Sequence, residues 1–461
     1  MPQSAAKRAK RAQKIFDRAL AAHRGGRLDA ALGGYAEAIE LDPHSSQAYN
    51  NMGVALRAQG AFAAAVASYR RAIAVKPGDA GSHSNLGNAL RALGRHAEAE
   101  ACHRQALALD ADHVEARYNL GLVLKDQGLF EEGIACLTEA VRRKADYVDA
   151  HWDLALALLM RGDLRQGFSE YEWRWQLPEN PPRGFYKPAW NGGPLEDRSI
   201  LLHAEQGMGD SIQFARYVAL VAARGGQVIL ECQKPLVPLF KNLAGAGRVI
   251  ARDDDTPLPD FELHAPLLSL PRIFATDLET IPQSGAYLAA EAARTAKFDD
   301  LLDREGLHIG IAWAGKPSHR NDRNRSAGLA PFIDLFGAAG AAFHSLQVGP
   351  RAADITDLGC AGLLRDHAPR LADFADTAAL VSRLDLVISV DTSVCHLAGA
   401  LGTPCWVVLP FTPDWRWLTA RGQPVVSLAA PFPPAILRRL AGCFRPRRRS
   451  AGKINRLMNA A

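Results

Sequence analysis

A 34-residue step runs through the first third of this 461-residue chain and restricts its fold there more than any other feature. Gly53, Gly87 and Gly121 stand one step apart, and Ala155 continues the series. Ala31, Ala65 and Ala99 keep the same step, as do Tyr35 and Tyr69, then Ala38, Ala72, Ala106 and Ala140. Pro43 and Pro77 end their units. Small residues recur where two helices cross closely, an aromatic ring fills the gap beside them, and proline stops the second helix. A fixed period of this length marks stacked helical hairpins, each burying its apolar face only against its neighbours.

The pattern resembles the tetratricopeptide repeat, with about five units between Ala19 and Trp175, so residues 1–175 are the expected first domain. Such stacks present a groove lined by the first helix of each pair. Two residues before each small position stand Asp17, Asn51, Asn85, Asn119 and Asp153, one polar group per unit along one wall. An asparagine amide both donates to and accepts from the backbone of an extended peptide, whatever its sequence. The ladder resembles that of O-GlcNAc transferases, which join repeats to a transferase. On that resemblance Asn51, Asn85, Asn119 and Asp153 are candidate acceptor-groove residues. The rival reading is that asparagine is merely frequent at this consensus position.

After Tyr171-Glu172-Trp173-Arg174-Trp175 the chain turns rich in proline and glycine, from Pro178 to Pro194, and residues 176–198 read as a linker. The aromatic cluster caps the last repeat's apolar face, or else stacks on a sugar. From Ser199 apolar strands alternate with helices, which implies parallel sheets. Ile200 to Leu202, Gln227 to Cys232, Arg248 to Ala251 and Phe261 to His264 read as strands of a block over residues 199–298. Ile309 to Trp313, Phe343 to Gln347, Leu386 to Val390 and Cys405 to Leu409 read as strands of a second, over residues 299–420. Two doubly wound blocks facing each other make a cleft at the carboxyl ends of their strands, where ligands bind.

The segment Val390-Asp391-Thr392-Ser393-Val394-Cys395-His396 carries the most chemistry. A buried strand ends at Asp391, a helix starts at Thr392 or Ser393, and Gly402 followed by Pro404 ends it. The helix start offers free N–H groups and a positive dipole end beside two hydroxyls, a site suited to a diphosphate. His396 lies four residues after Thr392, on the same face. Asp and Thr are also ordinary helix caps.

Asp391-Thr392-x-x-x-His396, together with Gly209-Asp210 after the first strand of the earlier block, resembles the heptosyltransferase family of bacterial glycosyltransferases. Repeat-fused members of that family look similar at Glu205-Gln206-Gly207-x-Gly209-Asp210, Trp313-x-Gly315 and Asn321-Asp322-Arg323-x-Arg325-Ser326. They are similar again at Ser345-Leu346-Gln347, Asp376-Thr377-Ala378-Ala379-Leu380 and Pro413-Asp414-Trp415-Arg416-Trp417. The resemblance covers nearly all of residues 165–420. It implies a GT-B fold behind the all-α repeats, a nucleoside-diphosphate sugar as co-substrate held mainly by the second block, and transfer without a metal or other cofactor.

Without a metal, the leaving diphosphate needs cations or N–H donors. Arg325 and Lys316 follow the first strand of the second block, where the resemblance places such a base. Lys316 departs from the family's usual asparagine, so Arg325 is the preferred catalytic cation. Each is otherwise a solvated loop charge. Gln347, Asp376, Asp391, Thr392, Ser393 and His396 complete the expected nucleotide-sugar site. Asp210 occupies the position of the acid that would activate or orient the acceptor hydroxyl. The bland alternative is that it only caps the helix beginning at Ser211. Asp253-Asp254-Asp255 contains the DxD of metal-dependent transferases, but it sits in a turn before Pro257 and Pro259 and reads as solvated loop.

The resemblance stops abruptly after Trp417. Family members continue with a Trp-Tyr-Pro run, whereas this chain reads Gly422-Gln423-Pro424-Val425-Val426-Ser427 and then turns arginine-rich, as a changed reading frame would make it. Nine of the 54 Lys and Arg lie in residues 421–461 with no acid, leaving 45 bases against 49 acids elsewhere, so the net charge of +5 belongs to that tail. The tail is expected to pack poorly and to stay solvated rather than bind nucleic acid. Seven cysteines form no CxxC pair, which argues against a zinc site and fits a reducing compartment. No signal-peptide core and no membrane-length apolar run is present, and the expectation is a cytoplasmic protein. Three functions follow: transfer of sugar to a protein or peptide held by the repeats, a repeat-based interaction scaffold with a degenerate transferase, or transfer to a saccharide or lipid-linked acceptor.

Overall fold

A computed structural model describes residues 2–253, 257–282, 285–301, 306–318, 322–410, 413–418 and 425–427, with backbone alone for 2–5 and 425–427. The chain forms two compact units. One comprises Met1–Arg161 with Ser169–Pro181, and the other Gly162–Phe168 with Pro182–Ala461.

The first unit is helical: α1 (Pro2–Arg24), α2 (Leu28–Leu41), α3 (Ser46–Ala58), α4 (Phe62–Val75), α5 (Ala80–Ala92), α6 (His96–Leu109), α7 (Val114–Asp126), α8 (Phe130–Arg143) and α9 (Val148–Arg161). A tenth helix, α10 (Leu164–Glu170), straddles the division between the units. The 34-residue step is visible in the capping. Ser45, Asp79 and His113 each accept a backbone N–H three residues on, from Ala48, Ser82 and Ala116. Within each hairpin the turn rests on a glycine with positive φ, at Gly60, Gly94 and Gly128, a conformation that a Cβ disfavours.

The small positions mark helix crossings. A Cβ on Gly53 would lie 2.6 Å from the Tyr69 ring, one on Gly87 2.6 Å from His103, and one on Gly121 2.9 Å from Leu137. The aromatic slot of Tyr35 and Tyr69 is thus taken next by His103 and then by Leu137. His103 is fully buried, and burial pulls its pKa down to about 4. The Tyr171–Trp175 cluster caps the array: Trp173 stacks on His151 at 3.8 Å, and the buried Arg174 lies over Trp175 at 4.4 Å.

The second unit holds two parallel sheets. The first, in order β3-β2-β1-β4, uses β1 (Ser199–His203), β2 (Gln227–Cys232), β3 (Arg248–Ala251) and β4 (Leu263–Pro266). The second, in order β10-β9-β8-β5-β6-β7, uses β5 (Leu307–Ala312), β6 (Ala341–Ser345), β7 (Leu364–Asp366), β8 (Leu386–Val390), β9 (Cys405–Leu409) and β10 (Val425–Ser427). Counted from β5, that order is 3-2-1-4-5-6, the doubly wound plan whose switch point lies between β5 and β8. The inner strands β5, β8 and β9 are almost wholly apolar, as burial on both faces requires. An exception is the hydrogen-bonded row His308–His344–His367, with successive ring nitrogens 3.0 Å apart.

Three features add to the sequence reading. Within the connecting stretch 176–198, Ala189 bridges to His264 in parallel and Trp190 N–H donates to the His264 carbonyl at 2.8 Å. β7 is a short strand that the sequence reading omitted. Most instructive, the expected poorly packed tail contributes β10, in which Val425, Val426 and Ser427 pair with Val407, Val408 and Leu409. Two β-branched residues add to an edge whose N–H and C=O groups would otherwise be unpaired. Residues 421–424 and 428–461 lie outside the described residues, as do Asn321, Asp254 and Asp255.

Candidate functional site

The helix Ser393–Leu401 follows the buried strand β8, and its start is built by Thr392. The Thr392 hydroxyl accepts from Val394 N–H at 3.3 Å and lies 3.0 Å from Ser389 Oγ. Gly402, at φ 70°, ends the helix in the left-handed conformation expected of it. The first N–H groups of such a helix have no intrahelical acceptor.

Helix α11 (Met208–Phe214) from the first sheet meets this helix start. The approach depends on Gly209, where a Cβ would lie 2.8 Å from His396 Cδ2 and 3.4 Å from Ser393 Cα. Asp210 accepts the Gly207 N–H at 2.9 Å through Oδ2, so it does cap α11. Its other oxygen pairs with the Arg416 guanidinium, which sequence reasoning quoted in a motif without assigning a role. Arg416 also bonds Asp414 at 2.8 Å and donates from Nε to Gln213 Oε1 at 3.0 Å, while lying over the Trp415 ring at 4.2 Å. One arginine thus ties the segment after β9 to the helix after β1. A Trp-Arg-Trp run behind the strand that follows the Asp391-Thr392 segment was the available signal.

His396 stacks on Trp417 at 5.7 Å and holds Nε2 4.0 Å from Asp391 Oδ1. Burial lowers its pKa, with Asp391 opposing and Arg416 adding to the shift. The imidazole is therefore neutral at neutral pH. Arg325 ends the short helix Asp322–Arg325 that follows β5, with Nη1 3.4 Å from the Asp391 carbonyl and Nε 3.7 Å from Asp322. Its Nε is buried without a hydrogen-bond partner among the described residues. Gly315 makes room for it, since a Cβ there would lie 2.5 Å from Nη2. An unsatisfied guanidinium N–H beside a helix start is a receptive place for an anion.

The structure therefore brings Asp210, Asp391, Ser393, His396 and Arg325 together, with Thr392 as the cap. The other expected residues have different occupations. Lys316 is exposed in its loop and forms no side-chain hydrogen bond among the described residues. Gln347 is buried and spends its carbonyl on two backbone donors, Trp313 N–H at 3.1 Å and Ala314 N–H at 3.0 Å. It holds the loop after β5 in shape. Asp376 is buried and pairs, both at 2.9 Å, with Arg294 and Lys297 of the connector that leads from β4 to β5, residues 285–301. Burial raises its pKa, and Lys297 and Arg294 more than reverse that, so it stays ionised. It docks the connector on the helix Phe374–Val381.

The polar ladder is similarly divided. Asn85 donates to Asn50 at 3.0 Å, and Asp153 accepts from Tyr118 at 2.7 Å and from Lys125 at 3.1 Å. Both reach back 35 residues, to the preceding repeat. Asn51 accepts only a long contact from Asn50 at 3.4 Å, and Asn119 makes no side-chain bond among the described residues. Two rungs thus bond to the preceding repeat, and Asn51 and Asn119 do not.

One family model, described as "TPR repeat", matches residues 53–94 and 87–128, and a second, described as "Tetratricopeptide repeat", matches 120–171. The N-terminal helices are tetratricopeptide repeats. Such repeats suggest a protein-interaction scaffold. The chain is also similar to Protein FlbA of Caulobacter vibrioides, 27% identical over 274 residues. That stretch is 54% of this chain and 46% of FlbA, so the chain spans less than half of that relative's length. Solved structures similar to the helical part include MamA, with 20% identity, 34% of this chain and 91% of that chain covered, and a TM-score of 0.31. YrrB, titled a TPR protein with an unusual peptide-binding site, gives 18%, 36%, 86% and 0.31 in the same order. The pilus biogenesis factor PilW gives 25%, 36%, 78% and 0.34. Among the described residues no helix is long and apolar enough to cross a membrane.

Proposed function

We propose that the second unit is a GT-B glycosyltransferase that moves a sugar from a nucleoside-diphosphate donor to a hydroxyl of a protein or peptide. The observation that carries this reading is the meeting of Gly209-Asp210 with Ser393 and His396, because it sets a carboxylate opposite an anion-receptive helix start. The diphosphate lies on the N–H groups of the helix Ser393–Leu401 and on the Arg325 guanidinium. Asp210 orients the acceptor hydroxyl and takes its proton. The new bond joins the acceptor oxygen to the sugar's anomeric carbon as the bond to the phosphate oxygen breaks, and Arg325 with the helix N–H groups takes up the charge left on the diphosphate. Arg416 keeps Asp210 in place, and the neutral His396 packs the two helix ends together.

The second reading is a repeat-based interaction scaffold whose transferase half is inert. The repeat matches favour it directly, and the two unspent rungs, Asn51 and Asn119, serve both readings. Calorimetric titration of the purified chain with UDP-, ADP- and GDP-sugars separates the two. Saturable binding of one donor supports transfer. Binding of none leaves the scaffold.

A further inference from the structure

An open-mouthed pocket of about 510 Å³, solvent included, lies against Arg416 and is used by no step of the transfer just described. Its walls are aromatic. Phe168 meets Phe214 edge to face at 6.1 Å and Trp415 at 5.7 Å, and Phe214 runs beside Tyr217 at 6.2 Å. The Tyr217 hydroxyl is spent on Thr276 Oγ1 at 2.9 Å, so Tyr217 offers its ring rather than its hydroxyl. At the rim Leu278 is 51% exposed and Ile281 36%. Large apolar side chains left in water around a concave apolar surface mark a binding site.

The charge of the lining is one-sided. Among the described residues Arg216 and Arg416 are its charged lining, with no carboxylate beside them in the wall. Arg416 is shared between Asp210 and Asp414. Arg216 has no ion pair among the described residues; its Nε donates to the Gln213 carbonyl at 2.9 Å and its guanidinium lies over the Tyr287 ring at 4.9 Å. An occupant with an apolar body and a nearby negative charge satisfies both features.

We infer that this pocket seats an aromatic or large branched side chain of a peptide, with an acidic residue beside it against Arg216. Because the pocket shares Arg416 with Asp210, the seated side chain delivers a neighbouring hydroxyl to the transfer site. The term acceptor peptide rests on the transfer reading above, whereas the pocket's preference for ring plus acid does not. Specificity then comes from the side chains flanking the modified residue, while the repeats grip backbone.

The test is calorimetry on the full chain with three capped dipeptides: aspartyl-phenylalaninamide, aspartyl-alaninamide and lysyl-phenylalaninamide. Burial of a ring should make the first bind about tenfold or more tightly than the second. Arg216→Gln should erase the preference for the first over the third. Leu278→Glu, at an exposed rim position where folding is not at stake, should weaken the first by about tenfold. Equal binding of all three, or tighter binding of lauryl phosphate than of any dipeptide, overturns the proposal. Donor titration on the same sample keeps the two readings apart. Dipeptide discrimination without donor binding retains the pocket and removes transfer, and donor binding without discrimination overturns the pocket alone.

Discussion

The repeats and the α/β unit are both read from short stretches of sequence, yet they store their information differently. In the repeats one position is written several times, so its job is visible from the step alone. The slot facing the small residue is filled by Tyr35, Tyr69, His103 and Leu137 in turn, each almost completely buried. Chemistry there is interchangeable provided volume is kept. In the α/β unit each residue is written once, and its job is set by a partner far away. Asp210 and Arg416 are 206 positions apart, and Asp376 meets Arg294 across 82. Repetition makes a fold legible, and single long-range pairs make a site illegible until the chain is folded.

Acid should strain this comparison most. In the α/β unit burial pulls His344 to about 3 and His367 to about 4, and in the repeats it pulls His103 to about 4. These folded values are depressed below the unfolded value of about 6.5, so between them the unfolded chain binds more protons than the folded one. Stability is therefore full above pH of about 6.5 and is lost as pH falls toward 4, by roughly 3 kcal/mol at His103, with a further loss in the same direction from the hydrogen-bonded pair His344 and His367. Thermal melts from pH 7.5 to 4.5 should show the loss, and His103→Tyr should reduce it, since Tyr35 and Tyr69 already fill the same slot. A His103→Tyr chain that melts much lower than the parent at pH 7.5 would show that the slots are not interchangeable.

Arg325→Ala should weaken nucleoside-diphosphate binding by roughly 1.5–3 kcal/mol, the scale of a charge-assisted hydrogen bond. The corresponding change at Lys316, exposed and unpaired among the described residues, should do almost nothing. Equal losses at the two positions would mean that the loop acts only through its net charge. Gly87→Ala drives a methyl into the His103 ring and should cost about 1–3 kcal/mol in a urea melt. Most of that should return in Gly87→Ala with His103→Ala, because the collision is between those two groups.

The ladder gives the smallest effects. Asn85→Ala removes the bond to Asn50 and should cost about 1 kcal/mol of stability. Asn119→Ala should leave the melt unchanged and weaken a bound peptide by about 0.5–1.5 kcal/mol. The opposite assignment, with Asn119 stabilising and Asn85 neutral, would mean that the phase of the groove has been misjudged.

The sequence showed the repeat hairpins, most strands of both sheets, and the helix start at Thr392, because each is encoded within a few residues by period, cap or apolar run. Gln347 and Asp376 were placed in the site because they stand beside strand or helix ends, where ligands and structural clamps look alike. Only folding shows that Gln347 faces two backbone N–H groups and Asp376 two cations. β10 was missed for a related reason. Val425-Val426-Ser427 is too short to stand out inside a basic stretch, and what makes it a strand is the open edge of β9.

The account's central claim is that Asp210 acts on the acceptor while the helix at Ser393 and Arg325 hold the donor. It is tested most directly by Asp210→Asn, measured for turnover and donor affinity on one preparation. The amide keeps an oxygen for the Gly207 cap, and a thermal melt checks that the fold is intact. The expected result is turnover lower by about a hundredfold or more with donor affinity unchanged. Sugar transfer by Asp210→Asn at the parent rate would contradict it.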